Sequence, residues 1–472
     1  MNLKWQRSIS WCLFLFICFS CFDLSANTKP KKQTRPAQTK TTKSKTTSSA
    51  KKTSTKKKTT SSKKKTYHKA ANTKTVNAAP GIDELYDPAD NSIENTAYLL
   101  PFLKALQSAD SNVVSILHIG DSHLQAGNYP GTIAQNLQQM FGDAGRGFVF
   151  PYNLAGTNGP HDYTWSSSTS FSSARIVDRN VSFDVGPGGI AISSPQQNFS
   201  LTYIPKGNNV NSNIREATVY YDAGANGANT TVFSSGAVTT TKPIEFEGAT
   251  GTWQQTTFSY PVSQDRLNLN FANTGVGQFR FYGASIKSGR NGILYNTVGI
   301  NGAQFLHYNA NKNSLIEQLI CFQPQLIIYS LGTNEAYGFT SGEAVRAEIE
   351  NVVSVAKQYA PNAKLLFTTP PYGMRIRRTS SVRKKVGKKY KTVKTVSSIP
   401  NPNVVKVQQE IVKYCRENGY ALWDFYHIMR GDKRFNTGWG ADHIHFNVAG
   451  YNLQGQLLYE AIRKAYLSQQ KN

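Results

Sequence analysis

Apolar and polar positions along the chain form three kinds of pattern. Toward both ends, short and almost wholly apolar runs are followed by stretches of helical spacing. Val113-Val114-Ser115-Ile116-Leu117-His118-Ile119 is such a run, as a strand buried on both faces requires. Pro130 to Phe141 follows it as an amphipathic helix, and Asn91 to Ala109 precedes it with helical spacing. The pairing resumes later in the chain. Tyr295 to Ile300, Gln325 to Ser330, Lys364 to Thr369 and Tyr420 to Phe425 read as strands. Ser341 to Tyr359, Val404 to Glu417 and Asn447 to Ser468 read as helices. Five strands with intervening helices predict a parallel sheet in a three-layer α/β/α sandwich of flavodoxin-like type.

In the middle the period falls to two. Ala217 to Tyr221, Thr231 to Phe233 and Leu267 to Phe271 alternate between turns rich in Gly, Asn and Ser. That is the pattern of an antiparallel, jelly-roll-like β-sandwich. It interrupts the α/β pattern, so an inserted domain is expected over 165–278, between α/β parts at 82–164 and 279–472. Aromatics of the insert such as Trp253 and Phe258 belong either to its core or to a sugar-stacking surface, and core is the commoner fate.

The opening residues show a different pattern. Lys4 and Arg7 precede an apolar run from Ile9 to Phe22, and Leu24-Ser25-Ala26 offers a small-residue cleavage site. This predicts an export signal over 1–26. An uncleaved anchor and lipidation of Cys21 are the alternatives. Residues 27–81 then hold 17 Lys and Arg and no Asp or Glu, which is most of the formal net charge of +25. A tract so poor in apolar side chains cannot offset its ordering entropy, so a disordered linker is expected. The basicity is therefore mostly a property of this tail; 25 − 17 leaves +8 for the rest of the chain. Export removes the chain from nucleic acid, leaving anionic envelope polymers as the tail's expected contacts. Of 5 Cys, only Cys321 and Cys415 follow the leader. Two cysteines make no disulfide framework, and buried thiols or a single bridge both remain open.

Four segments carry candidate chemistry: Gly120-Asp121-Ser122, Gly299-Ile300-Asn301-Gly302, Gly332-Thr333-Asn334-Glu335 and Asp442-His443-Ile444-His445. Each follows a predicted strand or flanks a helix, so all can meet at one edge of the sheet. A serine hydroxyl needs a base before it attacks an ester. His445 can take that proton and return it to the leaving alcohol, and Asp442 can hold its tautomer. The backbone N–H groups of Ser122 and Gly302 and the Asn334 amide can receive an oxyanion. Each residue also has a plainer reading: Ser122 as a turn residue, Asn334 as a helix cap, His445 as a surface histidine, with His443 as a competing base.

In order and position these blocks resemble the SGNH (GDSL-like) hydrolases, with Ser122, Gly302, Asn334 and His445 on the four signature residues. The resemblance spans roughly 113–155 and 292–466, and its spacing from Asp442 selects His445 over His443. Gly120-Asp121-Ser122-His123, Leu124-Gln125-Ala126-Gly127 and Gly145 to Tyr152 resemble the bacterial peptidoglycan O-acetylesterase and O-acetyltransferase branch more closely. Members of that branch carry a carbohydrate-binding-like sandwich where the insert falls. The resemblance implies an exported serine esterase of the periplasm or cell envelope acting on an acetylated polysaccharide, peptidoglycan first. Asp121, His123 and Glu335 become candidate substrate contacts. No cofactor or metal is implied. An O-acetyltransferase, an esterase for another polysaccharide and a non-catalytic glycan-binding protein are the alternatives.

One feature lies outside this pattern. Arg375, Arg377, Arg378, Arg383, Lys384, Lys385, Lys388, Lys389, Lys391 and Lys394 crowd the stretch between the strand ending at Thr369 and the helix near Val404. A hairpin turning at Val386-Gly387 is expected. It is either a solvated loop or a device for capturing a polyanionic glycan.

Overall fold

A computed structural model of the chain describes residues 91–180, 183–207, 213–222, 230–246, 253–273, 278–338, 340–387 and 389–470. The expected leader and basic linker over 1–81, and Lys388, lie outside the described residues.

Six strands build the central sheet: β1 (Val113–Gly120), β2 (Asp143–Gly145), β3 (Gly292–Gly299), β4 (Leu326–Ser330), β5 (Lys364–Thr368) and β6 (Ala421–Trp423). Their order is β6-β5-β4-β1-β3-β2, and every pairing is parallel. β2 is the strand that hydrophobic patterning cannot find, because its three residues, Asp-Ala-Gly, contain no apolar run.

Successive strand residues face opposite sides, and this builds the three layers. Ile116 and Ile328 join one core with Phe102, Ile133 and Leu458, from helices Leu100–Gln107, Asn128–Phe141 and Val448–Gln469. Leu117 and Ile327 join the other with Leu319, Ile349 and Ile411, from helices Lys312–Phe322, Gly342–Tyr359 and Pro402–Asn418. The helix ends follow local chemistry. Ser341 accepts the Ala344 N–H and Asn447 accepts the Gly450 N–H as N-caps, each satisfying an otherwise unpaired donor. The helix expected from Asn91 begins instead with a 3₁₀ turn at Thr96–Leu99 and becomes α-helical at Leu100. Asn95 takes a left-handed φ of 54° just before it, and Pro101 sits in the first turn, where its missing N–H costs nothing.

The interruption is an antiparallel sandwich of one seven-stranded and one four-stranded sheet. It reaches beyond the expected 165–278. Gly147–Val149 and Phe279–Lys287 pair with each other in the larger sheet, and Tyr163–Ser167 is an edge of the smaller one. The chain thus leaves β2 at Gly145 and enters the sandwich at Gly147; it leaves at Lys287 and enters β3 at Gly292. Such short links explain why composition does not mark the boundary. The sandwich packs on Lys312–Phe322, with the Phe322 ring 5.2 Å from Phe148 and 6.2 Å from Tyr220. Trp253 and Phe258 are buried in its core. Cys321 and Cys415 are free thiols, the second buried.

Ile328 is fully buried on a central strand. Ile328→Ala should lower the unfolding free energy by about 2–5 kcal/mol in chemical denaturation, while Val262→Ala, at an exposed position, should change it by less than about 0.5 kcal/mol.

Candidate active site

Three neighbouring strands deliver three of the four sequence blocks. β1 lies between β3 and β4, and Gly120 pairs with Gly299 on one side and Ser330 on the other. The loops beyond these residues therefore start at one level. Beyond β1, Asp121 caps the short helix Ser122–Gln125 by accepting the His123 N–H at 2.9 Å. The Tyr308 hydroxyl donates to the Gly120 carbonyl at 2.8 Å and steadies the turn. An added Cβ at Gly299 would stand 2.6 Å from the Gln125 nitrogen, so only glycine lets β3 end against this helix. The Gln125 side chain donates to the Asn158 carbonyl at 2.7 Å and accepts the Asn301 N–H at 2.6 Å. It ties together the loops carrying Ser122, Asn158 and Gly302.

The fourth block arrives from a loop ahead of the last helix. Trp439 and Phe446 form an antiparallel bridge, and Gly440 donates its N–H to the His445 carbonyl at 2.7 Å. Asp442 organises the turn between them. Its Oδ1 accepts the backbone N–H groups of Ile444 at 2.9 Å and His445 at 3.0 Å. Its Oδ2 lies 2.7 Å from His445 Nδ1, and His445 Nε2 lies 2.8 Å from Ser122 Oγ. An Nδ1–H donated to the carboxylate leaves Nε2 free to accept the serine proton. Burial works to raise the Asp442 carboxyl, but the three N–H donors outweigh it and hold it at about 2. His443 takes φ 55° and turns its ring toward Trp439, with centroids 6.4 Å apart.

Ser122, Gly302, Asn334 and His445 line one open cavity of about 530 Å³, together with Asn158, Asn301, Tyr337 and Ile444. Gly302 has φ 85° and open space where a Cβ would stand; the backbone conformation, rather than crowding, calls for glycine there. The Asn334 amide donates to the Ala303 carbonyl at 2.9 Å and, over a longer 3.3 Å, to Asp121 Oδ2.

Asp121, His123 and Glu335, the candidate substrate contacts, sit beneath the floor. All three are buried, and none lines the cavity. Glu335 Oε1 accepts the Phe305 N–H at 2.8 Å. His123 Nδ1 meets the Tyr451 hydroxyl at 3.1 Å, and its ring packs 5.3 Å from that of His445. Burial, with His445 adding to it, depresses His123 to about 3, so the ring is neutral. Burial also pushes Asp121 up to about 8, opposed by the His123 N–H and reinforced by Glu335. Glu335 rises to about 7 for the same first reason. Sequence reasoning did not find Asn158 or Tyr337. Asn158 belongs to a loop with no periodicity; Tyr337 stands three residues after Asn334, on the cavity side of the short helix Thr333–Tyr337.

Residues 271–453 match the model of the GDSL-like Lipase/Acylhydrolase family. Gly302, Asn334, Asp442 and His445 fall inside the match and Ser122 before it. Among solved structures, a peptidoglycan O-acetylesterase is similar at 22% identity with a TM-score of 0.59, over 78% of this chain and 96% of that one. The parallel-sheet domain alone does not fill that span, so the sandwich is part of the likeness. The lipase/acylhydrolase from Enterococcus faecalis is 15% identical over 37% of this chain and 77% of that one, with a TM-score of 0.28. A GDSL-like lipase from Bacteroides thetaiotaomicron is 19% identical over 36% and 76%, with a TM-score of 0.26. No curated protein matches the chain. Residues 271–453 are thus similar to a GDSL-like lipase/acylhydrolase domain, and the fold is an SGNH-type α/β sandwich with an inserted β domain.

The raised carboxyls make a pH prediction. Folded Asp121 and Glu335 keep protons that the unfolded chain releases near pH 4. Their contribution to stability is therefore full below about pH 4 and declines as pH rises toward 8. The thermal midpoint should fall between pH 5 and 8.5, and Asp121→Asn with Glu335→Gln should flatten that slope. A slope unchanged in the double variant would refute the assignment.

Proposed function

From a GDSL-like acylhydrolase domain in which Ser122, His445 and Asp442 are joined by hydrogen bonds at the mouth of a cavity, we propose a serine esterase that removes O-acetyl groups from an envelope polysaccharide. Peptidoglycan is the proposed substrate. The hydrogen-bonded array carries the proposal, because no purely structural role requires a serine, a histidine and a carboxylate in that order beside open space. The likeness to a peptidoglycan O-acetylesterase, sandwich included, supports the choice of substrate. The export signal read at 1–26 supports an envelope location, and the basic linker is proposed to lie against anionic polymers there.

In this reading Ser122 Oγ attacks the acetyl carbonyl carbon while His445 Nε2 takes the hydroxyl proton. The carbonyl oxygen becomes an oxyanion held by the backbone N–H groups of Ser122 and Gly302 and by the Asn334 amide. Asn334 exchanges its long bond to Asp121 for this shorter one. That exchange is easy while Asp121 is neutral, since a neutral carboxyl accepts more weakly than a carboxylate. Collapse of the intermediate breaks the ester C–O bond, and His445 returns the proton to the departing sugar hydroxyl. Water, deprotonated by His445, then attacks the acetyl-serine carbonyl; collapse breaks the bond to Ser122 Oγ, His445 returns the proton to that oxygen, and acetate is released. Asp442 stays ionised throughout and balances the imidazolium.

Acetate release from O-acetylated peptidoglycan, set against acetylated xylan, tests the proposal. Peptidoglycan should be turned over faster, and transfer of the acetyl group to an added sugar instead of water would identify a transferase. Ser122→Ala and His445→Ala should each lower kcat by at least about 10³-fold, and Asp442→Asn by about 10²–10⁴-fold. His443→Ala should stay within about three-fold of the parent. Undiminished turnover by Ser122→Ala would sink the serine mechanism.

A further inference from the structure

The basic stretch forms a two-stranded ribbon, Met374–Val386 against Lys389–Pro400, paired with no other strand among the described residues. Its turn places Gly387 at φ 64°. Ten Lys and Arg and no Asp or Glu occur between 374 and 400. The base is tied to the candidate active site: the Tyr337 hydroxyl donates to the Met374 carbonyl at 2.6 Å, and Met374 donates its N–H to the His443 carbonyl at 3.0 Å. Toward the apex, among the described residues, the strand pairing is that of its own ladder. A lone two-stranded hairpin is marginal in water, and this one adds mutual repulsion among its cations.

The apex carries a second feature that charge alone does not account for. Val382, Val386, Tyr390 and Val393 are 46%, 52%, 62% and 37% exposed. Val382 stands directly opposite Val393, and Val386 follows on the same face beyond Lys384. The Arg383 guanidinium lies 5.9 Å from the Tyr390 ring on the other face. Docking on a soluble polyanion would use the cations and leave these apolar groups in water. A bilayer with anionic headgroups takes both: phosphates meet the Lys and Arg heads, and the valines and the tyrosine ring enter the acyl boundary while the long basic side chains reach back to the surface.

We propose that the ribbon is a docking element for an anionic phospholipid surface, with its apex in the interface and its base at the rim of the catalytic cavity. A 12-residue strand spans about 40 Å, so the ribbon sets how far the cavity stands from the lipid. The cavity then faces polymer lying above the bilayer rather than the bilayer itself.

Hydrogen–deuterium exchange on the full chain reads residues 374–400 separately from the basic linker. Vesicles containing phosphatidylglycerol should protect the apex amides at least about ten-fold, while phosphatidylcholine vesicles and soluble O-acetylated peptidoglycan fragments should not. Val382→Ser, Val386→Ser and Val393→Ser together keep every charge and should remove the protection. Arg383→Gln, Lys384→Gln, Lys389→Gln and Lys391→Gln should weaken binding about five-fold per cation removed. An unchanged thermal midpoint establishes that these variants fold, so the result does not depend on the esterase reading. Protection by peptidoglycan fragments that survives the valine substitutions would overturn the proposal in favour of polymer capture. No protection by any of the three would overturn it in favour of a solvated hairpin.

Discussion

Everything at the candidate site depends on the parallel pairing of β1 with β3 on one side and β4 on the other. Gly120, Gly299 and Ser330 are held at one level by backbone hydrogen bonds. Ser122 lies two residues past the first, Gly302 three past the second and Asn334 four past the third. No side-chain interaction is needed to bring these three segments together; the ladder does it. The side chains act afterwards, as Gln125 bridges the loops and Tyr308 pins the Gly120 carbonyl. What the sheet cannot supply is the proposed base, His445. It comes from a self-bonded turn built around Asp442, set in place by the final helix packing along Asn128–Phe141.

Much of this is legible in sequence because fully buried strands are almost continuous apolar runs. β1, β4 and β5 announce themselves that way, and the residues just past their ends are the ones that can meet. β2 is silent, since pairing of a three-residue Asp-Ala-Gly segment is decided by β3 and not by its own side chains. The sandwich boundaries are blurred for a related reason. Phe279–Lys287 and β3 are both apolar strands separated by a few residues, and nothing local tells which sheet each will join. The meeting of Ser122, Asn334 and His445 at one cavity is readable from residue type and order. The inward burial of Asp121, His123 and Glu335 is not, because it depends on which side of the turn faces the protein. Asn158 is hidden as well: its loop is placed by long-range hydrogen bonds from Gln125 and Asn301.

The carboxyl groups beneath and beside the cavity divide by surroundings. Asp442 is half-exposed and receives three N–H donors, which keep it ionised down to about pH 2. Asp121 and Glu335 are shut away from water and retain their protons to about 8 and 7. Around neutral pH the site therefore holds one firm negative charge on the histidine side, while Asp121, the carboxyl bonded to Asn334, stays mostly protonated. An ionised Asp121 would both hold the Asn334 amide and repel charge forming above it. Burial thus keeps the floor permissive without adding any positive group.

The long interval between Ser122 and His445, 323 residues, has a consequence in time. A growing chain completes β1 early, and neither strand that flanks it there exists until the whole sandwich has been made. The proposed base comes later still and is seated by the helix Val448–Gln469 that follows it. On the proposed mechanism, a partly synthesised or unfolded chain therefore has a serine without its base. Competence, on that mechanism, arises in one late step, when the helix Val448–Gln469 docks.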